Sequence, residues 1–136
     1  MKATVNRKAH FNAAHRLYRK DWTNERNAEV FGLCSNPNFH GHNYELVVSV
    51  TGDISPETGF VMDMKLLKDI IKTEVEDMLD HKNLNVEVEA FKELNPTAEN
   101  IAVVIYNSIK PKLESHLELS VTLYETPRNF VTYSGN

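Results

Sequence analysis

The sequence predicts an α+β fold, a four-stranded antiparallel sheet with two helices packed on one face. Three observations carry this. Residues 39–51 and 116–126 alternate apolar and polar side chains, residues 63–79 repeat apolar positions at helical spacing, and the elements run strand, strand, helix, helix, strand, strand. At 136 residues the chain has the length of one domain, expected to span 1–136.

Residues 2–17 read as a strand or bent strand, with Val5, Ala9, Phe11, Ala13, His15 and Leu17 on one face and Arg7 interrupting the pattern. Trp22 to Phe31 is a charged, helix-permissive insertion ending near Gly32. The second strand, Phe39 to Thr51, lines up His40, His42, Tyr44, Leu46, Val48 and Val50. It stops near Gly52, because Pro56 fixes its own φ and Gly59 tolerates a positive one.

From Asp63, a natural N-cap, the stripe Leu66, Leu67, Ile70, Ile71, Val75, Met78 and Leu79 marks an amphipathic helix. A loop begins over Asp80–Asn85. Thr97 and Asn100 open a second helix with Ile101, Val104, Ile105 and Ile109 on its apolar side. Leu117, Leu119, Val121, Leu123 and Glu125 then share one strand face, and Pro127-Arg128-Asn129 turns into a last strand, Phe130 to Tyr133. Such a sheet leaves edges, which small domains close by oligomerising.

Composition excludes several classes. Fifteen Lys+Arg against 19 Asp+Glu give a net charge of −4, the wrong sign for a partner of nucleic-acid backbone. The single cysteine, Cys34, rules out an intramolecular disulfide. The longest apolar run, Ile101 to Tyr106, falls far short of the ~18 residues that cross a bilayer. No apolar leader follows Met1, so a cytoplasmic location is expected.

His40-Gly41-His42 puts two imidazoles on one strand face, and His15 supplies a third on the apolar face of another strand. Three histidines with an open fourth position are the layout of a catalytic zinc; a strand-end pair of ordinary polar side chains is the other reading. Cys34, beside the Asn36-Pro37-Asn38 turn, is either an inert small hydrophobe or a partly exposed reactive thiol. Asp80-His81 follows the first long helix directly, as an ordinary helix terminus or as a carboxylate orienting an imidazole. Glu125 is a charge on an inward stripe, so it needs a ligand unless the strand has already left the core. Thr97-Ala98-Glu99-Asn100 is capping chemistry first and ligand contact second.

Five segments together resemble the 6-pyruvoyl-tetrahydropterin synthase family. They are Ala14-His15-Arg16-Leu17, Cys34 with His40-Gly41-His42-Asn43-Tyr44, Leu79-Asp80-His81-Lys82-Asn83-Leu84, Pro96-Thr97-Ala98-Glu99-Asn100 and Tyr124-Glu125-Thr126. The resemblance implies the tunnelling fold, in which subunit sheets join into a barrel, and a homo-hexamer built as a dimer of trimers with sites at subunit interfaces. It implies Zn2+ held by His15, His40 and His42, a catalytic Cys34 with Asp80 and His81 as charge-relay partners, and Glu125 as pterin anchor. Thr97 and Glu99 join Glu125 as substrate-binding residues.

The implied reaction converts the small molecule 7,8-dihydroneopterin triphosphate to 6-pyruvoyl-tetrahydropterin, a lyase step of tetrahydrobiopterin synthesis. The alternative product is 6-carboxy-tetrahydropterin, the queuosine precursor. The Cys34-to-His40 spacing resembles the pyruvoyl-forming branch more closely. A non-catalytic pterin- and zinc-binding protein is the reading from another class, against which stands the retention of Cys34 with Asp80-His81. Lys82, Arg16 and Arg128 are the cations near these motifs for a triphosphate.

Overall fold

The computed structural model describes residues 1–136. Strand β1 (Lys2–His15) pairs antiparallel with β2 (His40–Asp53) along their whole lengths, from Lys2 opposite Asp53 to His15 opposite His40. β2 then pairs with β4 (Glu118–Tyr124), and β4 with β5 (Phe130–Tyr133), both antiparallel. These are the four expected strands.

A fifth strand, β3 (Lys82–Asn83), adds to the expected four and makes the sheet mixed, because it runs parallel to β1 opposite Ala13 and Ala14. The strand order is β3-β1-β2-β4-β5. His81 causes this departure from a plain loop. Its φ of 61° reverses the chain, and its N–H donates to the Asn12 carbonyl at 2.6 Å, laying the next two residues along β1.

Helix α1 (Asn24–Phe31) begins where Thr23 Oγ1 accepts from the Arg26 N–H and ends at Gly32, φ 59°. Helix α2 (Met64–Ile71) is capped by Asp63, which accepts from the Lys65 N–H at 2.9 Å. A π-helical turn, Lys72–Glu76, carries it into the short α3 (Asp77–Leu79). A turn of helix, α4 (Leu84–Glu87), follows β3. Thr97 Oγ1 caps α5 (Ala98–Ile109) by accepting from the Asn100 N–H.

One core of 23 buried residues lies between a single sheet face and the helices. Phe11, Tyr44, Leu46, Val48, Val50, Leu119, Val121 and Leu123 come from the strands; Leu67, Ile71, Val75, Leu79, Ile101, Ile105 and Ile109 come from the helices. Leu66 is the exception in the predicted stripe. It is 53% exposed, because at 100° per residue it lies outside the buried arc of Ile70, Leu67 and Ile71, which is centred near Leu67. The other sheet face presents Asn6, Asn12, Asn43 and Glu45 and has no helix over it. No helix is long and apolar enough to cross a membrane.

Candidate active site

Three histidines meet where β1 ends and β2 begins. Their cross-strand register places His15 directly opposite His40, and His42 two residues along the same face. The rings contact edge-on, with centroids 4.6 Å apart for His15–His40 and 4.9 Å for each of the other two pairs. One ligand nitrogen from each lies within 4.8 Å of the others.

The hydrogen bonds around His15 decide its tautomer. Its Nδ1 sits 2.8 Å from the Pro96 carbonyl, which can only accept, so Nδ1 carries the proton and Nε2 the lone pair. That lone pair faces His40 Nε2 at 2.9 Å. His42 Nε2 is buried without any hydrogen-bond partner, as is His40 Nδ1. Orphaned buried nitrogens on two adjacent rings are unfavourable alone and are resolved by a cation bound by all three rings. The donor set therefore fits a metal ion of imidazole preference with a position left open.

Electrostatics agree. Burial pushes the His15 imidazole down to about 4, with repulsion from His40 and His42 adding to it against the opposing Pro96 bond. His40 is lowered too, by burial first and then His42. Both are neutral near pH 7, the protonation state that ligation requires. Tyr44, fully buried behind them, places its hydroxyl 3.3 Å from His15 Nδ1 and stays protonated.

Cys34 lies on the 3-10 turn Gly32–Ser35 and is partly buried. Burial, then the negative charge of Glu125, raises its thiol above the ordinary value. Glu125 likewise acts on Tyr44 and His40, so its carboxylate stands in the same neighbourhood as the cluster. β4 ends at Tyr124, which answers the inward-charge puzzle: Glu125 has just left the sheet, half-buried, with no ion pair to its carboxylate. It lines a cleft of about 450 Å³ with Leu17, Thr97, Glu99, Arg128 and Phe130. Thr97 caps α5 while lining that cleft, so it serves both readings.

Asp80 and His81 lie elsewhere. Asp80 Oδ2 is 3.0 Å from His81 Nδ1, while its Oδ1 accepts from the Asn12 N–H at 2.9 Å. The Asn12 bond, with a smaller contribution from His81, holds the Asp80 carboxyl below its ordinary range. The His81 side chain is 79% exposed in a cleft with Asn12, Gly41 and Asn43, opening towards the sheet face that carries no helices. Within one chain no hydrogen bond or ion pair joins this pair to Cys34.

Two contributors escaped the sequence reading. Pro96 acts through a backbone carbonyl, which leaves no side-chain signature. Asn85 holds the main chain of Arg16 from α4, a single turn too short to show a periodicity.

Comparison with known proteins gives a consistent result. The family model described as 6-pyruvoyl tetrahydropterin synthase matches residues 4–136. A 6-pyruvoyl tetrahydrobiopterin synthase of Pongo abelii is 45% identical over 133 residues, covering 98% of this chain and 92% of the relative. The solved structure of the Caenorhabditis elegans 6-pyruvoyl tetrahydropterin synthase superposes with a TM-score of 0.94 at 38% identity, covering 100% of this chain and 97% of that one. A 6-carboxy-5,6,7,8-tetrahydropterin synthase of Rickettsia conorii is 34% identical over 110 residues, 68% of this chain and 80% of the relative.

Proposed function

This chain belongs to the 6-pyruvoyl tetrahydropterin synthase family, and from that premise we propose that it converts 7,8-dihydroneopterin triphosphate to 6-pyruvoyl-tetrahydropterin and triphosphate. The observation that carries the proposal is the His15, His40, His42 cluster with Cys34 and an unpaired Glu125 beside it. The pyruvoyl product is favoured over the carboxy product because identity to the pyruvoyl-forming relative is higher and extends over nearly the whole chain.

Glu125 accepts paired N–H bonds from the aminopyrimidinone edge of the pterin, a bidentate contact that sets the ring's orientation. Thr97 and Glu99 flank that position in the same cleft. His15, His40 and His42 would hold Zn2+, which would supply Lewis-acid polarisation of the side-chain hydroxyls and so make the neighbouring C–H bonds more acidic. Cys34 acts as general base towards those C–H bonds. Burial first, and then the Glu125 charge, hold the Cys34 thiol above its ordinary value in the free subunit, and the substrate's N–H donors relieve the second of these by offsetting the Glu125 charge. Two electrons pass from one side-chain carbinol into the dihydropterin ring, and elimination of triphosphate leaves an enol that ketonises to the second carbonyl, so the conversion needs no external oxidant.

Asp80 fixes the His81 ring, leaving its other nitrogen to exchange a proton with Cys34. Because the pair is remote from Cys34 in its own chain, this relay operates between neighbouring subunits of a homo-hexamer. The exposed area supports such an assembly: 8373 Å² compares with about 7,000 Å² for a monomer of this mass. Residues 1–136 act as one pterin synthase domain in the cytoplasm.

Steady-state triphosphate release from 7,8-dihydroneopterin triphosphate tests this reading. Wild-type protein turns over and Cys34→Ala falls by at least about 100-fold. Binding of pterin and zinc without triphosphate release would identify a non-catalytic binder instead.

A further inference from the structure

Cys34 sits on a turn that packing does little to hold. The turn is four residues long, begins at Gly32 with positive φ, and carries Leu33 at 91% exposure. Its position comes from hydrogen bonds to the segment just beyond His15. The Leu17 N–H donates to the Cys34 carbonyl at 2.8 Å, and Arg16 Nε donates to the Ser35 carbonyl at 2.7 Å. Ser35 Oγ closes the turn onto the Gly32 carbonyl.

Arg16 is itself held on two sides. Asn85 Oδ1 accepts from the Arg16 N–H at 2.8 Å while Asn85 Nδ2 donates to the Arg16 carbonyl at 2.9 Å. One amide side chain thus pairs with the main chain as a neighbouring strand would. The guanidinium lies over the Tyr18 ring, 3.8 Å from its centroid, which sets its plane. The Arg16 Nε and one face of its guanidinium are therefore engaged within the subunit.

We infer that Arg16, clamped by Asn85, is a positioning residue that fixes the Cys34 turn relative to the histidine cluster. His15 and Arg16 are consecutive, so one short segment sets a metal-ligand position and, through two hydrogen bonds, the thiol position. A lysine in place of Arg16 keeps the charge but cannot present a planar Nε–H while stacking on Tyr18. An aspartate in place of Asn85 still accepts from the Arg16 N–H but sets a carboxylate oxygen against the Arg16 carbonyl.

The inference rests on Cys34 being the reacting thiol, and two readouts separate its failure from failure of that reading. Arg16→Lys and Asn85→Asp, in the zinc-loaded protein, are compared with wild type for kcat, KM, metal content and the rate of Cys34 alkylation by iodoacetamide. Both variants are expected to retain metal and a KM within about twofold, to lose at least about tenfold in kcat, and to alkylate at least about fivefold faster as the turn loosens. Alkylation at the wild-type rate in both variants would overturn the inference, whatever happens to kcat. A raised KM with unchanged kcat and alkylation in Arg16→Lys would instead mark Arg16 as a substrate-binding cation. Loss of metal together with kcat in both would reduce the clamp to a general structural role and also overturn it. Undiminished turnover in Cys34→Ala removes the catalytic-thiol reading alone, since alkylation reports the turn independently.

Discussion

Acidification of the metal-depleted protein should reveal His15 as a buried neutral histidine. Its folded pKa of about 4 lies below the ordinary imidazole value of 6.5, so the unfolded state binds more protons between these values. Stability therefore rises with pH: the contribution is complete above about 6.5 and is lost as pH falls towards 4. At pH 5 an unfolded His15 is almost wholly protonated and a folded one about one-tenth so, a proton-binding ratio of about 30, or about 2 kcal/mol. Urea unfolding at pH 7.5 and pH 5, after chelation of metal, measures this directly. His15→Gln keeps a donor for the Pro96 carbonyl and has no titration, so it should lose about 2 kcal/mol less than wild type across that interval. Equal losses in the two proteins would refute the argument.

Other consequences are separable. Glu125→Gln should lower kcat/KM by about 100-fold through loss of the charged bidentate contact. It should also shift the pH midpoint of Cys34 alkylation downwards, since the Glu125 charge contributes to raising that thiol; an unchanged midpoint would separate the two residues. His42→Ala should weaken metal binding more than about 100-fold by competition with a chelator, leaving the far-ultraviolet circular dichroism unchanged. Asp63→Ala removes the α2 cap, far from the cluster, and should cost about 1 kcal/mol in urea unfolding with kcat unaltered. Hexamers reassembled from equal amounts of Cys34→Ala and His81→Ala should recover activity in about a quarter of their sites, because intact relays form only between unlike subunits. No recovery would place the relay within one chain.

The parts of the fold written in periodicity were legible. Leu46, Val48 and Val50 on β2 and Leu119, Val121 and Leu123 on β4 all face the core as their alternation demands. Asp63 and Thr97 cap the helices that the apolar stripes indicated. β3 was not legible, since two residues cannot show a period and its pairing depends on the positive φ of His81. Leu66 misled because helical spacing places it at an edge of the stripe that tertiary packing leaves open.

The site divides in the same way. The His40-x-His42 alternation and the in-register His15 are local pattern plus one strand pairing, and together they supply the cluster. Glu125 betrayed itself by being a charge on an apolar stripe. What pattern could not supply were contacts made by backbone atoms or from a single helical turn: Pro96 on His15, Asn12 on Asp80, and the Asn85 clamp on Arg16. The distance of Asp80-His81 from Cys34 was equally invisible, because each motif is recognisable alone and only the sheet decides which face each one reaches.

The most direct test of the central claim is the mass of the pterin released when purified, zinc-loaded protein is incubated anaerobically with 7,8-dihydroneopterin triphosphate alone. The account predicts 6-pyruvoyl-tetrahydropterin with one triphosphate per pterin. A 6-carboxy product, or a pterin still carrying its triphosphate, would contradict it.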